Sequence, residues 1–315
     1  MTSATVARKS LSPHIGIEIE GVDLSRPLDE QTQQEIRQAW IESGLLLFRG
    51  ALHSNEDHLR LSEVFGQMEP SATADLNSSE NPYLMNLRQT PHNAKARRYL
   101  INGVEKVGFI GWHWDQAFMP RIVRGAVLRM IEPSASGGET GFIDAIGAYD
   151  RLTDEMKARI DNLEVVYEFD PAMEHNPGYP KDIVPMHAAS VVRRADGFPP
   201  VVHPLVITQP ETGRKALKLS PTHVRYILGM DRAESDALIA ELADSLTSEK
   251  YAYYHEWSAN DVVVWDNWRV IHSASGVPDD ASRLAIRTTI AGDYQGGKYL
   301  DSSLDPDNPP RRFDD

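Results

Sequence analysis

The 315-residue chain contains no cysteine. That excludes disulfides, thiolate nucleophiles, cysteine-ligated iron–sulfur clusters and haem, and CxxC zinc sites, so any metal chemistry falls to His, Asp or Glu. Long apolar runs are also missing. Residues 45–48 and 262–265 are typical, far short of the roughly 18 needed to span a bilayer. Residues 1–13 hold two basic side chains and no apolar stretch, and so do not read as a secretory signal. Positive charge is scarce as well: 32 Lys and Arg against 46 Asp and Glu leave a net charge of −14. That balance argues against nucleic-acid and anionic-membrane partners. Together these absences imply a cytoplasmic globular protein whose partner is a small molecule.

What is present is a 41% apolar chain with eleven histidines. Its length is enough for one large core, and no repeat or low-complexity tract divides it, so residues 1–315 read as one domain. Helix signals occur at 29–43, where Gly44 is the stop, at 54–66, where Ser54 caps and Gly66 closes, and at 231–246. Strand patterns occur at 14–20, 45–48, 83–87, 125–131, 140–144, 164–169, 201–207, 216–219, 251–257, 261–265 and 283–291. Many short strands with a few surface helices predict a mainly β protein, a sandwich or jelly roll. Segments 88–111 and 170–200 lack regular pattern and read as lids; the Asp- and Pro-rich tail, 297–315, reads as loosely attached.

The densest chemical signal is Gly111-Trp112-His113-Trp114-Asp115. On extended backbone, residues two apart share a face, so His113 and Asp115 can present an imidazole and a carboxylate to one point. A second histidine would complete the two-His, one-carboxylate triad associated with non-haem iron(II) oxygenases. His272, after the buried run 261–265 and a polar turn, is the candidate. Downstream, Arg283 and Arg287 share one face of a strand, about 13 Å apart at roughly 3.3 Å per residue. If Leu284, Ile286 and Ile290 pack outward, both guanidinium groups point inward, and each then needs an anion.

These residues resemble the taurine dioxygenase and 2,4-dichlorophenoxyacetate dioxygenase (TauD/TfdA) family. The likeness runs from Gly21-Val22-Asp23-Leu24-Ser25 to Arg287. It includes Trp112 to Asp115, Gly137-Gly138-Glu139-Thr140, His203-Pro204-Leu205-Val206, and the run from Pro210 to Leu217. His272 lies 159 positions after His113, Arg283 lies 11 after His272, Arg287 lies 4 further on, and Thr140 lies 27 after His113. The resemblance implies a double-stranded β-helix (jelly roll, cupin-like) with flanking helices. It implies that His113, Asp115 and His272 ligate Fe(II), that Thr140 and Arg283 bind the far carboxylate of 2-oxoglutarate, and that Arg287 binds the anionic head of the primary substrate. The implied reaction uses O₂ to hydroxylate that substrate, with ether, C–S or C–N cleavage where the attacked carbon carries such a bond. A carboxylate at Asp115 argues against a halogenase, which needs that position vacant.

Trp114 departs from the small or polar residue common between these ligands. With Trp112, Phe118 and Met119 nearby in sequence, it points to an apolar or aromatic substrate body. His223 is a second candidate anion contact, and His175 and His187 fall in a presumed lid. His203 reads as structural, and His53 and His58 as solvated helix residues. Alternative readings are a sulfonate or sulfate-ester dioxygenase, a non-catalytic metal- or anion-binding relative, and a metal hydrolase. Self-association is left open, as are the substrate and the carbon attacked.

Overall fold

The computed structural model describes residues 6–72, 77–169, 176–186 and 198–306. Its largest sheet has eight strands. The main path runs Ala7–Ser10, Ile17–Glu20, Leu45–Phe48, Val262–Asp266, Gly125–Glu132, Arg283–Ile290 and Met68–Glu69, with Met85–Gln89 also paired to Arg283–Ile290. Pairing is antiparallel except between Ile17–Glu20 and Leu45–Phe48. A second, four-stranded sheet runs Tyr253–His255, Thr140–Asp144, Val270–Ala274 and Ile110–His113.

The period of two in a strand explains why the central strands are apolar throughout. Leu45 and Leu47 enter a layer between the sheets with Leu128, Phe142, Trp265 and Ala285. Leu46 and Phe48 turn the other way, under the helices Glu30–Ser43 and Asn55–Phe65, where Ile36, Trp40, Leu61 and Phe65 meet them. The first helix starts where the Asp29 carboxylate accepts the Thr32 N–H, and stops at Gly44, whose φ of 74° lets its N–H return to the Trp40 carbonyl. Glycine is required there twice over, because a Cβ would stand 2.9 Å from Arg269 Cδ. A third apolar cluster lies under the helix Arg232–Leu246, whose Leu238, Leu242 and Leu246 are buried in it. No helix among the described residues is long and apolar enough to cross a membrane.

Three expectations change. Segment 88–111 is not patternless: Arg98–Ile101 and Val104–Val107 form a hairpin. Asn102 and Gly103 make its turn with φ of 50° and 75°, the geometry that Asn-Gly favours between strands. The tail is partly anchored, since Lys298–Tyr299 pairs with the strand Val201–Pro204 and Tyr299 is buried. Residues 307–315 lie outside the described chain, as do His175, His187 and most of the presumed lid at 170–200.

His58 is the third. Far from being solvated, it is fully buried with Ser62 on the inner face of its helix. Its Nε2 lies 3.1 Å from Thr288 Oγ1, and Ser62 Oγ lies 2.7 Å from the same oxygen. Two polar residues interrupt what would otherwise read as an apolar helix face, and Thr288, on the helix-facing side of Arg283–Ile290, gives each a hydrogen-bond partner, while His58 Nδ1 has none. Burial, reinforced by nearby Arg129, pushes the His58 imidazole down to about 3. In the unfolded chain the same group titrates near 6.5. The unfolded state then holds more protons below about pH 6.5, so His58 costs stability as the pH falls. His58→Gln should therefore show a shallower decline in Tm between about pH 7.5 and about pH 5 than the wild type. An unchanged slope would contradict a neutral buried imidazole.

Candidate metal centre

His113 ends the strand Ile110–His113, and its register partner in the small sheet is His272, on Val270–Ala274. Antiparallel pairing thus brings together two imidazoles distant in sequence, with ring centroids 4.2 Å apart. Asp115, two residues past His113, returns to the same face. One ligand atom from each of His113, Asp115 and His272 lies within 4.8 Å of the others. That spread suits three donors around one cation.

Each donor is held from behind. His113 Nδ1 donates to the Gly111 carbonyl at 2.8 Å, which fixes the tautomer and leaves Nε2 with a free lone pair. His272 lies against Trp265, 4.9 Å between ring centroids, and its Nε2 is 3.6 Å from Asp115 Oδ1. The Asp115 backbone is clamped by Asn267: Oδ1 accepts the Asp115 N–H at 2.7 Å, and Nδ2 donates to the Asp115 carbonyl at 3.2 Å. The Asp115 carboxylate accepts from Trp265 Nε1 at 3.2 Å. It also accepts both terminal nitrogens of Arg287, at 3.1 and 2.6 Å.

Burial alone would raise the Asp115 pKa, but Arg287 and the two histidines outweigh it and hold the group well below the usual carboxylate range. For both histidines burial dominates and pushes the imidazoles down, His272 well below its ordinary value. The site is therefore set as one carboxylate and two neutral imidazoles, the protonation states a divalent cation requires.

The two arginines share one face of Arg283–Ile290, as the alternation predicted, while Ile290 and Thr288 face the helices. Arg283 is partly buried and forms no ion pair or hydrogen bond with any described residue. Burial lowers its pKa to about 10. A Cβ on Gly138 would come within 3.6 Å of it, so the Gly137-Gly138 turn leaves room beside the guanidinium. Thr140, buried at the start of Thr140–Asp144, accepts the Trp257 indole N–H at 3.0 Å. That contact occupies an acceptor position on Oγ1 and leaves the hydroxyl hydrogen free to donate elsewhere. Arg287 is not free in the same sense. It is engaged with Asp115, yet its buried Nε has no partner.

His223 is buried within reach of the centre, 6.0 Å from His113 and 5.3 Å from Phe118 between ring centroids. Phe118 in turn clusters with Phe169 and Phe198 at 4.8–5.1 Å. Met119 joins this apolar group, and Trp112 packs on Tyr254 at 6.0 Å. Trp114 corrects an expectation. It is fully buried in the core, edge-on to Tyr167 and His203, on the side away from the ligand donors. The alternation that aligns His113 with Asp115 turns the residue between them the other way. His203 is structural as expected, its Nε2 2.8 Å from the Met119 carbonyl.

The contacts of Asn267 and Trp257 were not visible in the sequence. A polar Asp266-Asn267 turn between two buried strands was the available signal.

A family model described as taurine catabolism dioxygenase TauD, TfdA family, matches residues 7–289. The chain is 30% identical over 288 residues to an (S)-phenoxypropionate/alpha-ketoglutarate-dioxygenase of Sphingobium herbicidovorans, covering 90% of this chain and 94% of that one. It is 29% identical over 293 residues to an alpha-ketoglutarate-dependent sulfate ester dioxygenase of Pseudomonas putida, covering 90% and 88%. Among solved structures it is similar to AAD-2 in complex with Mn(II) and N-oxalylglycine, with a TM-score of 0.73, 25% identity, and coverage of 93% and 100%.

Gly111 carries a direct test of this geometry. A Cβ there would stand 2.2 Å from the Gly178 carbonyl oxygen, a backbone atom that cannot swing aside. Gly111→Ala should cost on the order of 2 kcal/mol or more of stability, read as a lower Tm. It should also weaken metal binding, because the Gly111 carbonyl that orients His113 must move. A variant with the wild-type Tm and metal affinity would show that the contact is not tight.

Proposed function

Because the chain belongs to the TauD/TfdA family and is an iron(II)- and 2-oxoglutarate-dependent dioxygenase, we propose that it hydroxylates a small organic acid with an apolar or aromatic body on a double-stranded β-helix. The convergence of His113, Asp115 and His272 donors within 4.8 Å is the observation that carries this reading. Two neutral imidazoles and an ionised carboxylate on one face fit iron(II) and leave positions for a cosubstrate and O₂. When bound, the iron supplies the redox chemistry that couples O₂ and 2-oxoglutarate, consumed to succinate and CO₂, to oxidation of a substrate C–H bond.

Arg283 binds the far carboxylate of 2-oxoglutarate. Its unpaired, partly buried guanidinium supports this, since such a cation is costly unless an anion meets it. Thr140 donates its hydroxyl hydrogen to the same carboxylate, with Trp257 holding the oxygen in that orientation. Arg287 balances the Asp115 charge and, through its unfilled Nε, contacts the anionic head of the primary substrate. His223 borders that head group, and Phe118, Phe169 and Phe198 line the space for the substrate body. An apolar wall there keeps water from the reacting centre. The head group is a carboxylate, sulfonate or sulfate, since Arg287 accepts any of them. A cytoplasmic setting, which supplies iron(II) and 2-oxoglutarate, agrees with this chemistry.

Anaerobic addition of Fe(II) and 2-oxoglutarate should give a weak visible charge-transfer band in the wild type and none in His113→Ala. Succinate release should then identify a substrate from a panel of aryloxy acids, aromatic acids, sulfonates and sulfate esters. A wild type with no band and no succinate for any candidate would defeat the reading. With a substrate in hand, Arg283→Ala should raise the KM for 2-oxoglutarate about tenfold or more and change the KM for the primary substrate less, by loss of a charged hydrogen-bond pair. Arg287→Lys, which keeps a cation beside Asp115 but lacks the guanidinium Nε, should do the reverse. Equal effects on both ligands would overturn the division of roles between the two arginines.

A further inference from the structure

Behind the metal centre lies a cation that the chemistry above does not use. Lys218 is 1% exposed and directly follows the short strand Lys215–Leu217, whose Ala216 and Leu217 are buried. Its backbone is fixed at both polar groups: the N–H donates to the Leu205 carbonyl at 2.7 Å, and the carbonyl accepts the Tyr167 hydroxyl at 2.7 Å. The ammonium donates to the Asn267 carbonyl and sits 4.2 Å from the centroid of the Trp114 ring. It makes no ion pair among the described residues.

A buried ammonium without a direct counter-ion is expensive, and burial pushes the Lys218 amine down to about 7; an apolar side chain of similar volume would ordinarily serve the core better. The two groups that Lys218 holds explain why it is there. Asn267 is the residue whose side chain brackets the Asp115 backbone, at 2.7 Å to its N–H and 3.2 Å to its carbonyl, with a further bond of 3.1 Å to the Val123 carbonyl. Trp114 is the residue between the two ligands of the His-x-Asp segment, and its ring offers a cation an attractive face. One amine therefore braces the ligand segment at the Trp114 indole and, through Asn267, at the backbone of Asp115.

We propose that Lys218 is a positioning residue for the metal centre, holding the Asn267 carbonyl and the Trp114 ring so that the Asp115 carboxylate stays aimed at the bound cation. This rests on the reading of His113, Asp115 and His272 as the metal ligands. Its consequence is that metal affinity depends on a side chain that touches neither the metal nor any of its ligands. Loss of outer hydrogen-bond partners typically weakens metal sites by about 10- to 100-fold.

The test is a titration of the metal-stripped full chain with Mn(II) alone, free Mn(II) being read by electron paramagnetic resonance, alongside the Tm of the metal-free protein. Lys218→Met fills the space and removes the donor, and should raise the Kd for Mn(II) about tenfold or more. Lys218→Arg, which restores a buried cationic donor, should recover part of the loss. A purely structural role would lower the metal-free Tm and leave the Kd within about threefold of the wild type, and that result overturns the proposal. Should Lys218→Met not fold, Lys218→Leu, which also lacks a donor, is read against the same threshold. A wild type that binds no Mn(II) overturns the metal reading itself and this role with it. A wild type that binds, with the uncharged variants indifferent, overturns only the role of Lys218.

Discussion

An ionised carboxylate inside a protein needs a local field strong enough to replace water, and the arrangement around Asp115 is organised by that need. Arg287 supplies a bidentate guanidinium, Trp265 an indole N–H, and Asn267 both partners for the backbone on either side of the carboxyl-bearing carbon. Burial pulls against ionisation and is outweighed, which leaves Asp115 charged. The same burial keeps His113 and His272 neutral. Opposite effects on the two ligand types give the charge state a divalent cation prefers, so the site is prepared before any metal arrives.

The two sheets divide the work. The small sheet carries the imidazoles, paired across antiparallel strands at His113 and His272. Facing it, Arg283–Ile290 and Val262–Asp266 in the large sheet provide both arginines and Trp265. The layer between them is apolar, with Phe142 ring-to-ring with Trp265 at 6.0 Å and with His272 at 6.3 Å. Most polar groups that enter this layer meet one another there, while Arg287 Nε and His272 Nδ1 are buried without a partner.

The turn 266–269 transmits order from the rim of the protein to the centre. Asp266 is fixed by Arg124 at 3.0 Å and Gln209 at 2.8 Å, and Arg124 reaches on to Glu211. Arg269 makes a two-point bond to Asp144 at 2.9 and 2.8 Å and caps the carbonyls at the end of the first helix. Asn267, between these anchors, is the residue that reaches Asp115. The helix end at Gly44 and Asp115 are thus parts of one hydrogen-bonded framework.

Much of this was legible in the sequence because it depends on local periodicity. The apolar run 45–48, the alternation in 283–290, the caps at Asp29 and Ser54, the leucine spacing of 231–246 and the shared face of His113 and Asp115 all follow from backbone geometry that neighbours alone impose. The Asn102-Gly103 hairpin was equally local and was available in the same way. Tertiary structure alone decided which polar residues are buried. His58 is inside because Thr288, 230 positions away, gives it a partner. Trp114 belongs to the core because Tyr167, His203 and Lys218 surround it, and Arg287 sits on Asp115 across a separation of 172. A polar side chain can be buried only where another element satisfies it, and a linear sequence does not state which elements will meet.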